Sequence, residues 1–361
     1  MKNLLILCVV LLFACMRFPG NPGHLDSQYA LLFLTFLTQP TGQARFVYVT
    51  NAGNHTVSMY SVGESGALTS LGTVSSISTP RAIGMHPTGA YAYVANQATA
   101  NVTMFRIDQS TGLLTSMGAI ACGTTPYEVV VSPDGRFAYV VNQTSDDVSM
   151  YAVNSNTGTL SSLGLIAAGS TPRGMAIDPS SRFAYVANNV SVDVTQYTIG
   201  AAGVLSANGT AGGVAGSHGI NVDPAGQFAY MANFGAANVS LYTINQSSGV
   251  LIGNGTIASG AGSVRVKVEG SGRYVFAANQ SANTVSQYIL NPSGSLTPNG
   301  TAATGAGPGD LAADPGGRVV YVTNSTGNTV SMFLIGGTGS LQSLGTIAAG
   351  TTPIGVGIAY F

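Results

Sequence analysis

Fourteen positions of the chain carry charge out of proportion to the rest. They form seven pairs of adjacent residues, Ile354-Gly355, Arg81-Ala82, Tyr127-Glu128, Arg173-Gly174, His218-Gly219, Val264-Arg265 and Gly309-Asp310, four of them directly after a Thr-Pro step. Five of the 14 residues are charged and one more is His218, in a chain where only 7% of residues are Asp, Glu, Lys or Arg. Three arginines, Arg81, Arg173 and Arg265, can hold an anionic or carboxylate-bearing ligand through planar paired hydrogen bonds. Glu128 or His218 can act as general base toward a water, with an arginine stabilising the oxyanion that develops when an ester carbonyl is attacked. Tyr127 and Asp310 complete the candidate ligand-binding set. The plainer alternative is that Glu128 and Asp310 only neutralise the arginines in a hydrated channel.

The elements that must position these residues are written in the sequence as repeats. An aromatic-x-aromatic-small-x-Asn pattern, as in FVYVTN, recurs with its Asn at 51, 96, 142, 188, 233, 279 and 324, at intervals of 45 or 46 residues. Each copy reads as four short strands. An inner strand follows the Thr-Pro step (TPRGMAIDP), a tight turn such as SPDGR leads to a second (RFAYVAN), then come a third (DVSMYAV) and a fourth after Gly (GTLSSLG). Alternating apolar residues, Phe137 and Tyr139 or Val148 and Met150, have the period of sheet, and Gly, Pro, Asn and Ser clusters supply the turns.

Four short strands cannot bury both faces alone, so the repeats must stack; seven arranged radially form an all-β, seven-bladed propeller. The first motif begins at a second strand, Arg45 onward, and the chain finishes on an unpaired inner strand, Thr352 to Phe361. That final strand is expected to complete the first blade and close the ring. Inner strands line the central channel, so the 14 positions surround one mouth, the natural concave ligand site. One objection stands: adjacent residues of a regular strand point to opposite faces, so Arg81, Tyr127, Arg173 and His218 cannot share the channel with Glu128, Arg265 and Asp310.

Residues present in most blades meet a need of folding. On that ground the seven Asn residues are expected to bond their own turn backbone. Arg45, Arg136, Arg182, Arg273 and Arg318 at one offset and Asp178, Asp223, Glu269 and Asp314 at another suggest repeated turn ion pairs. His86 stands where other blades place Asp and reads as a turn variant, and His55 is a loop residue on the mouth side.

Composition excludes other classes. With 12 Lys or Arg, 13 Asp or Glu and only Lys2 and Lys267 as lysines, there is no basic footprint for nucleic acid. At 45% hydrophobic residues the chain is no charge-driven disordered segment. No apolar run reaches the length of a spanning helix. The longest, Leu4 to Ala14 after Lys2, reads as a secretory leader, and its end, LFAC, resembles a lipoprotein box with Cys15 as the acylated residue; plain cleavage is the alternative. Residues 1–15 are thus assigned to a signal peptide, 16–44 to a linker containing the unexplained apolar stretch Ala30 to Leu37, and 45–361 to the propeller. There is no zinc spacing, nucleophile elbow or phosphate loop, so no metal or cofactor is expected. Asp146, Asp147 and Asp193 read as solvated loop acids before they read as a calcium site. Strands this short, grouped in fours, do not match an outer-membrane barrel despite the terminal Phe361.

The YVTN, YVAN and YVVN copies, with TPRGMAIDP and SPDGRFAYVVNQTSDDVSMY, make residues 45 to 361 resemble the seven-bladed lactonase propellers, the 6-phosphogluconolactonase-like or YVTN-repeat family. The resemblance implies Glu128 as the retained acid of a SEIHVSP-like segment. The His of that segment is replaced here by Val130, and the family's PRH-type histidines by Ala82 and Gly174. An exported chain would also not meet the cytosolic phosphosugar of 6-phosphogluconolactonase itself. The expectation is an exported protein, periplasmic, lipid-anchored or extracellular, that binds a small anionic or sugar-derived ligand at the channel mouth. If it is an enzyme, it is a lactone (carboxylic ester) hydrolase. The alternative is a non-catalytic surface scaffold that binds protein or polysaccharide across its top face.

Overall fold

In five of the seven repeats the second strand is buried from end to end, and this organises the molecule. In Phe137–Asn142 all six residues are buried, because both faces of the strand meet a neighbouring blade. Phe137, Tyr139 and Val141 pack on Met175, Val186 and Tyr197 of the following blade, while Ala138 and Val140 pack on Tyr91, Tyr93 and Ala95 of the preceding one. The period-two alternation therefore divides apolar residues between two interfaces, where a sheet with one wet face would divide apolar from polar.

The computed structural model describes residues 44–361 apart from residue 77; the assigned leader, the linker, Cys15 and the Ala30 to Leu37 stretch lie outside the described residues. The described residues form seven four-stranded antiparallel sheets, one per blade, and contain no helix. Blade 1 is built from the two ends of the described residues. Its inner strand is Pro353–Tyr360, hydrogen-bonded to Ala44–Asn51 with Val47 opposite Ile358 and Val49 opposite Val356. Blades 2 to 7 follow in chain order, with inner strands Pro80–Met85, Pro126–Val131, Pro172–Ile177, Ser217–Val222, Ser263–Val268 and Pro308–Ala313.

Tyrosines staple blade to blade. Tyr48, Tyr93, Tyr139, Tyr185, Tyr230 and Tyr321 each donate a hydroxyl hydrogen bond of 2.7–2.9 Å to a glycine carbonyl of another blade. A buried phenol needs such a partner, and the turn glycine that accepts lies where no side chain separates the two.

The repeated polar residues serve the fold, with two corrections of detail. The Asn residues bond side chains across the loop that follows rather than their turn backbone: Asn142 donates to Asp147 and Ser149, and Asn324 to Thr329 and Ser331. Backbone reaches one of them directly, through the Gly350 N–H donated to Asn51 Oδ1. The turn acids mostly cap backbone rather than pair with arginine. Asp178 Oδ1 accepts the N–H groups of Arg182 and Phe183, and Asp314 Oδ1 those of Arg318 and Val319. Arg136, Arg182 and Arg273 lie over the rings of Phe137, Phe183 and Tyr274 at 4.8–5.2 Å. Arg318 keeps an ion pair with Asp314 at 3.7 Å. Sequence symmetry identified the positions; it could not distinguish a carboxylate facing a guanidinium from one facing amides two to five residues ahead.

Candidate functional site

The channel is lined at the level of the Thr-Pro steps by a backbone irregularity that repeats around the ring. In blades 2, 3, 4, 6 and 7 the pairing of inner with second strand skips one residue, as between Pro126 and Glu128 or Pro172 and Gly174, and in blade 5 it skips from Ser217 to Ile220. Blade 1 has the equivalent shift between Val49 and Asn51. The extra residue of a bulge turns its side chain out of the strict alternation. Both sets of candidate residues therefore reach the channel, at successive levels of the inner strands, and the objection raised by regular strand geometry does not apply.

Residues at the first level line one cavity of about 250 Å³. Arg81, Tyr127, Arg173, His218, Val264, Gly309 and Ile354 all contribute to it, with Phe234, Gln280, Ser325 and Thr352 at its rim. The Tyr127 hydroxyl lies 2.8 Å from His218 Nε2, and the two rings meet edge to face with centroids 5.5 Å apart. The Arg81 guanidinium carbon sits 3.5 Å from the centre of the Tyr127 ring, and that of Arg173 at 5.6 Å. Such stacking holds a guanidinium while leaving its N–H edge free. Nε of Arg81 and Nε of Arg173 are buried without a hydrogen-bond partner among the described residues.

No acid lines this cavity, so its electrostatics are set by cations. Burial, reinforced by the positive charge of Arg265, Arg173 and Arg81, holds the His218 imidazolium well below the ordinary histidine range, so the ring is neutral near pH 7. Burial also lowers Arg81 from its usual value, with Arg265 and Arg173 adding like charge.

Residues at the second level line another cavity, of about 360 Å³. There Arg265 pairs with Glu128 through Nη1 and with Asp310 through Nε at 2.8 Å. Asp310 further accepts the N–H groups of Leu311 and Val356. Burial raises the Glu128 carboxyl above its usual value, with Arg265 opposing and Asp310 adding to the shift. Burial opposes the charge on Arg265, but Asp310 and Glu128 outweigh it and the guanidinium titrates higher than usual. Glu128 and His218, the two candidate bases, thus do not share a cavity.

Lys267 lines the second cavity with Asn221. The Lys267 ammonium makes no ion pair or hydrogen bond with the described residues, and burial lowers its pKa. Neither residue was singled out from the sequence, although the comparison of repeats contains them: the equivalent positions are Gly84, Val130, Ala176, Asn221, Lys267, Ala312 and Gly357. Phe234 and Gln280 were missed for a different reason, since they follow the strand-ending Asn in a loop. His55 lies outside the mouth cavity, where Nδ1 accepts the Thr79 N–H at 2.9 Å. His86 bonds Thr88 and the Gly135 carbonyl of the next blade, a turn role. Asp146 accepts the Thr171 N–H and Asp193 bonds Asn188 and Ser191; no cluster of metal-ligating side chains occurs among the described residues.

Comparison with known proteins places this geometry in a family. The model of the lactonase, 7-bladed beta-propeller family matches residues 39–129, 120–213 and 252–357. Sequence comparison with curated proteins gives no significant match. Among solved structures, the periplasmic gluconolactonase of Pseudomonas aeruginosa superposes with a TM-score of 0.78 at 18% identity, over 88% of this chain and 99% of that one. A protein provisionally assigned as a 6-phosphogluconolactonase from Bacteroides uniformis gives 0.79 at 18% identity, over 88% and 100%. The Kuenenia stuttgartiensis hydrazine synthase gives 0.65 at 17% identity, over 80% and 91%. Identities this low carry the fold and not the chemistry. With the family match over most of the chain and the closed ring of seven four-stranded blades, the protein belongs to the seven-bladed β-propeller lactonase family.

Proposed function

We propose that the protein binds a small carboxylate-bearing or sugar-derived ligand in the first-level cavity and opens a lactone there. The observation that carries this reading is the pair of guanidiniums, Arg81 and Arg173, stacked on Tyr127 in a cavity without a compensating acid, each with a buried Nε left unpartnered. Unpaired buried donors favour a ligand that supplies acceptors. In the reaction, water adds to the lactone carbonyl carbon and an arginine stabilises the oxyanion. The ring C–O bond then breaks, and the departing oxygen takes a proton to give the hydroxy acid. His218 is the proton acceptor, reached through Tyr127: the phenol passes its proton to Nε2 as it receives one from water. A depressed histidine pKa keeps the acceptor neutral at the cost of basicity, which limits the rate.

One observation favours a second reading, binding without turnover by a scaffold whose top face takes protein or polysaccharide. His218 Nε2 is engaged by Tyr127 and Glu128 by Arg265, so each candidate base is already bonded to another side chain of its cavity, and only Nδ1 of the His218 ring is without a partner among the described residues. A lactone panel that includes glucono-δ-lactone, followed by acid release in a pH-stat, decides between them. Turnover by the wild type, reduced about 100-fold or more in His218→Gln, supports hydrolysis. Binding of gluconate with no turnover of any lactone supports the scaffold.

We further propose export, from Lys2 and the apolar run Leu4 to Ala14. The periplasmic description of the Pseudomonas aeruginosa relative agrees with it. Fractionation of cells expressing the full chain tests it: recovery in the cytosol at full length would reject export.

A further inference from the structure

The residue that follows the strand-ending Asn is Ala52, Gln97, Gln143, Asn189, Phe234, Gln280 or Ser325 around the ring, so blade 5 alone places an aromatic there. Phe234 is 39% exposed and lines the rim of the first-level cavity. Its placement is built, because its N–H donates to the Gly216 carbonyl at 2.9 Å, a bond made at the same point in every blade. Gly216 has φ +81°, and a Cβ there would collide with the Gly235 backbone, so the two loops close tightly beneath the ring. The Gln280 side-chain amide, from the next blade, makes no hydrogen bond with the described residues and lines the same rim. Arg81 and Arg173 reach the cavity from blades 2 and 4. One cavity thus offers an exposed aromatic face, an unengaged amide and two cations. Those three features match a cyclic polyol acid derivative: a C–H face for the ring, hydroxyls for the amide, and a carbonyl or carboxylate for the guanidiniums.

We propose that Phe234 is the specificity-determining platform of this site, stacking on the C–H face of a hydroxylated ring while Gln280 bonds its hydroxyls. The site then selects sugar lactones over unsubstituted lactones of the same ring size; this rests on the ligand reading above. The test compares glucono-δ-lactone with δ-valerolactone, together with calorimetric binding of gluconate, in wild type, Phe234→Ala, Phe234→Trp and Gln280→Leu. Phe234 is half-exposed, so these variants keep the fold, which circular dichroism checks. The expected result is a drop of tenfold or more in selectivity for the sugar lactone, read as the ratio of kcat/KM values, in F234A and Q280L, with F234W close to wild type. If the wild type turns over no lactone, a tenfold weaker gluconate affinity in F234A still supports the platform while the hydrolytic reading fails. Gluconate bound equally by wild type and F234A, or selectivity unchanged in F234A, overturns the platform alone. No turnover of any lactone together with no binding of gluconate by the wild type overturns both.

Discussion

The Tyr127 hydroxyl meets Nε2 of His218 at 2.8 Å across 91 residues of chain, joining blade 3 to blade 5 over the inner strand of blade 4. The contact commits two of the candidate residues to one another within the first-level cavity. It also brings the Tyr127 ring beneath the Arg81 and Arg173 guanidiniums.

Tyr127→Phe isolates the hydroxyl while keeping the ring on which Arg81 stacks. Turnover of a lactone should fall about 100-fold through kcat. The now unpartnered His218 nitrogen should lower stability by about 1–3 kcal/mol, read from urea denaturation. An unchanged kcat would remove Tyr127 from the proton path.

Arg81→Met and Arg173→Met each delete one cation from a cavity without acids. Gluconate affinity should weaken about tenfold per substitution, equivalent to about 1.4 kcal/mol, with the larger effect at low salt. Calorimetry that finds both variants binding like wild type would locate the ligand elsewhere.

Glu128→Gln should leave lactone turnover within about tenfold of wild type, since Glu128 faces the second cavity and Arg265 keeps Asp310. Combining it with Asp310→Asn strands a buried guanidinium and should cost about 3–5 kcal/mol of stability. If E128Q alone abolishes turnover, the acid acts on substrate and the division of the channel into two levels does not describe catalysis.

The depressed pKa of His218 makes stability depend on pH with a defined sign. The folded state binds fewer protons at this site than the unfolded chain. The contribution is therefore complete above the unfolded histidine pKa of about 6.5 and is lost as pH falls toward the folded value. Glu128, raised by burial, acts oppositely, losing stability as pH rises from about 4.5. The difference in Tm between wild type and H218Q isolates the histidine, and it should shrink steadily as pH is lowered from 7 to 5. A difference independent of pH would mean that His218 is not buried in neutral form.

Deleting Pro353–Tyr360 removes the inner strand of blade 1 and leaves Ala44–Asn51 as an open edge. The truncated chain should lose cooperative unfolding, as followed by circular dichroism during thermal melts. A sharp transition near the wild-type Tm would show that the ring does not depend on this strand.

Much of the architecture was legible because it is local and repeated seven times. The 45- and 46-residue spacing of Asn51 through Asn324 specifies the number of blades, and the unpaired strand at Thr352 to Phe361 specifies how they close. The excess of charge after each Thr-Pro step or its equivalent marked the channel for the same reason, since every blade provides its own reference against which Arg81 or His218 stands out.

Only the tertiary structure decided what those residues face. The bulge after each Thr-Pro step, or its equivalent, depends on how inner and second strands register, and a period-two pattern read along one strand cannot contain it. The partners are farther still from local rules: Glu128 meets Arg265 across 137 residues and Tyr127 meets His218 across 91. These pairings join blades that are not neighbours in the ring, and the distance between such blades is set when the ring closes. Sequence periodicity thus determined the ring and the positions that surround its axis, while closure determined which of those side chains touch, since only it brings the inner strands of separate blades within hydrogen-bonding reach.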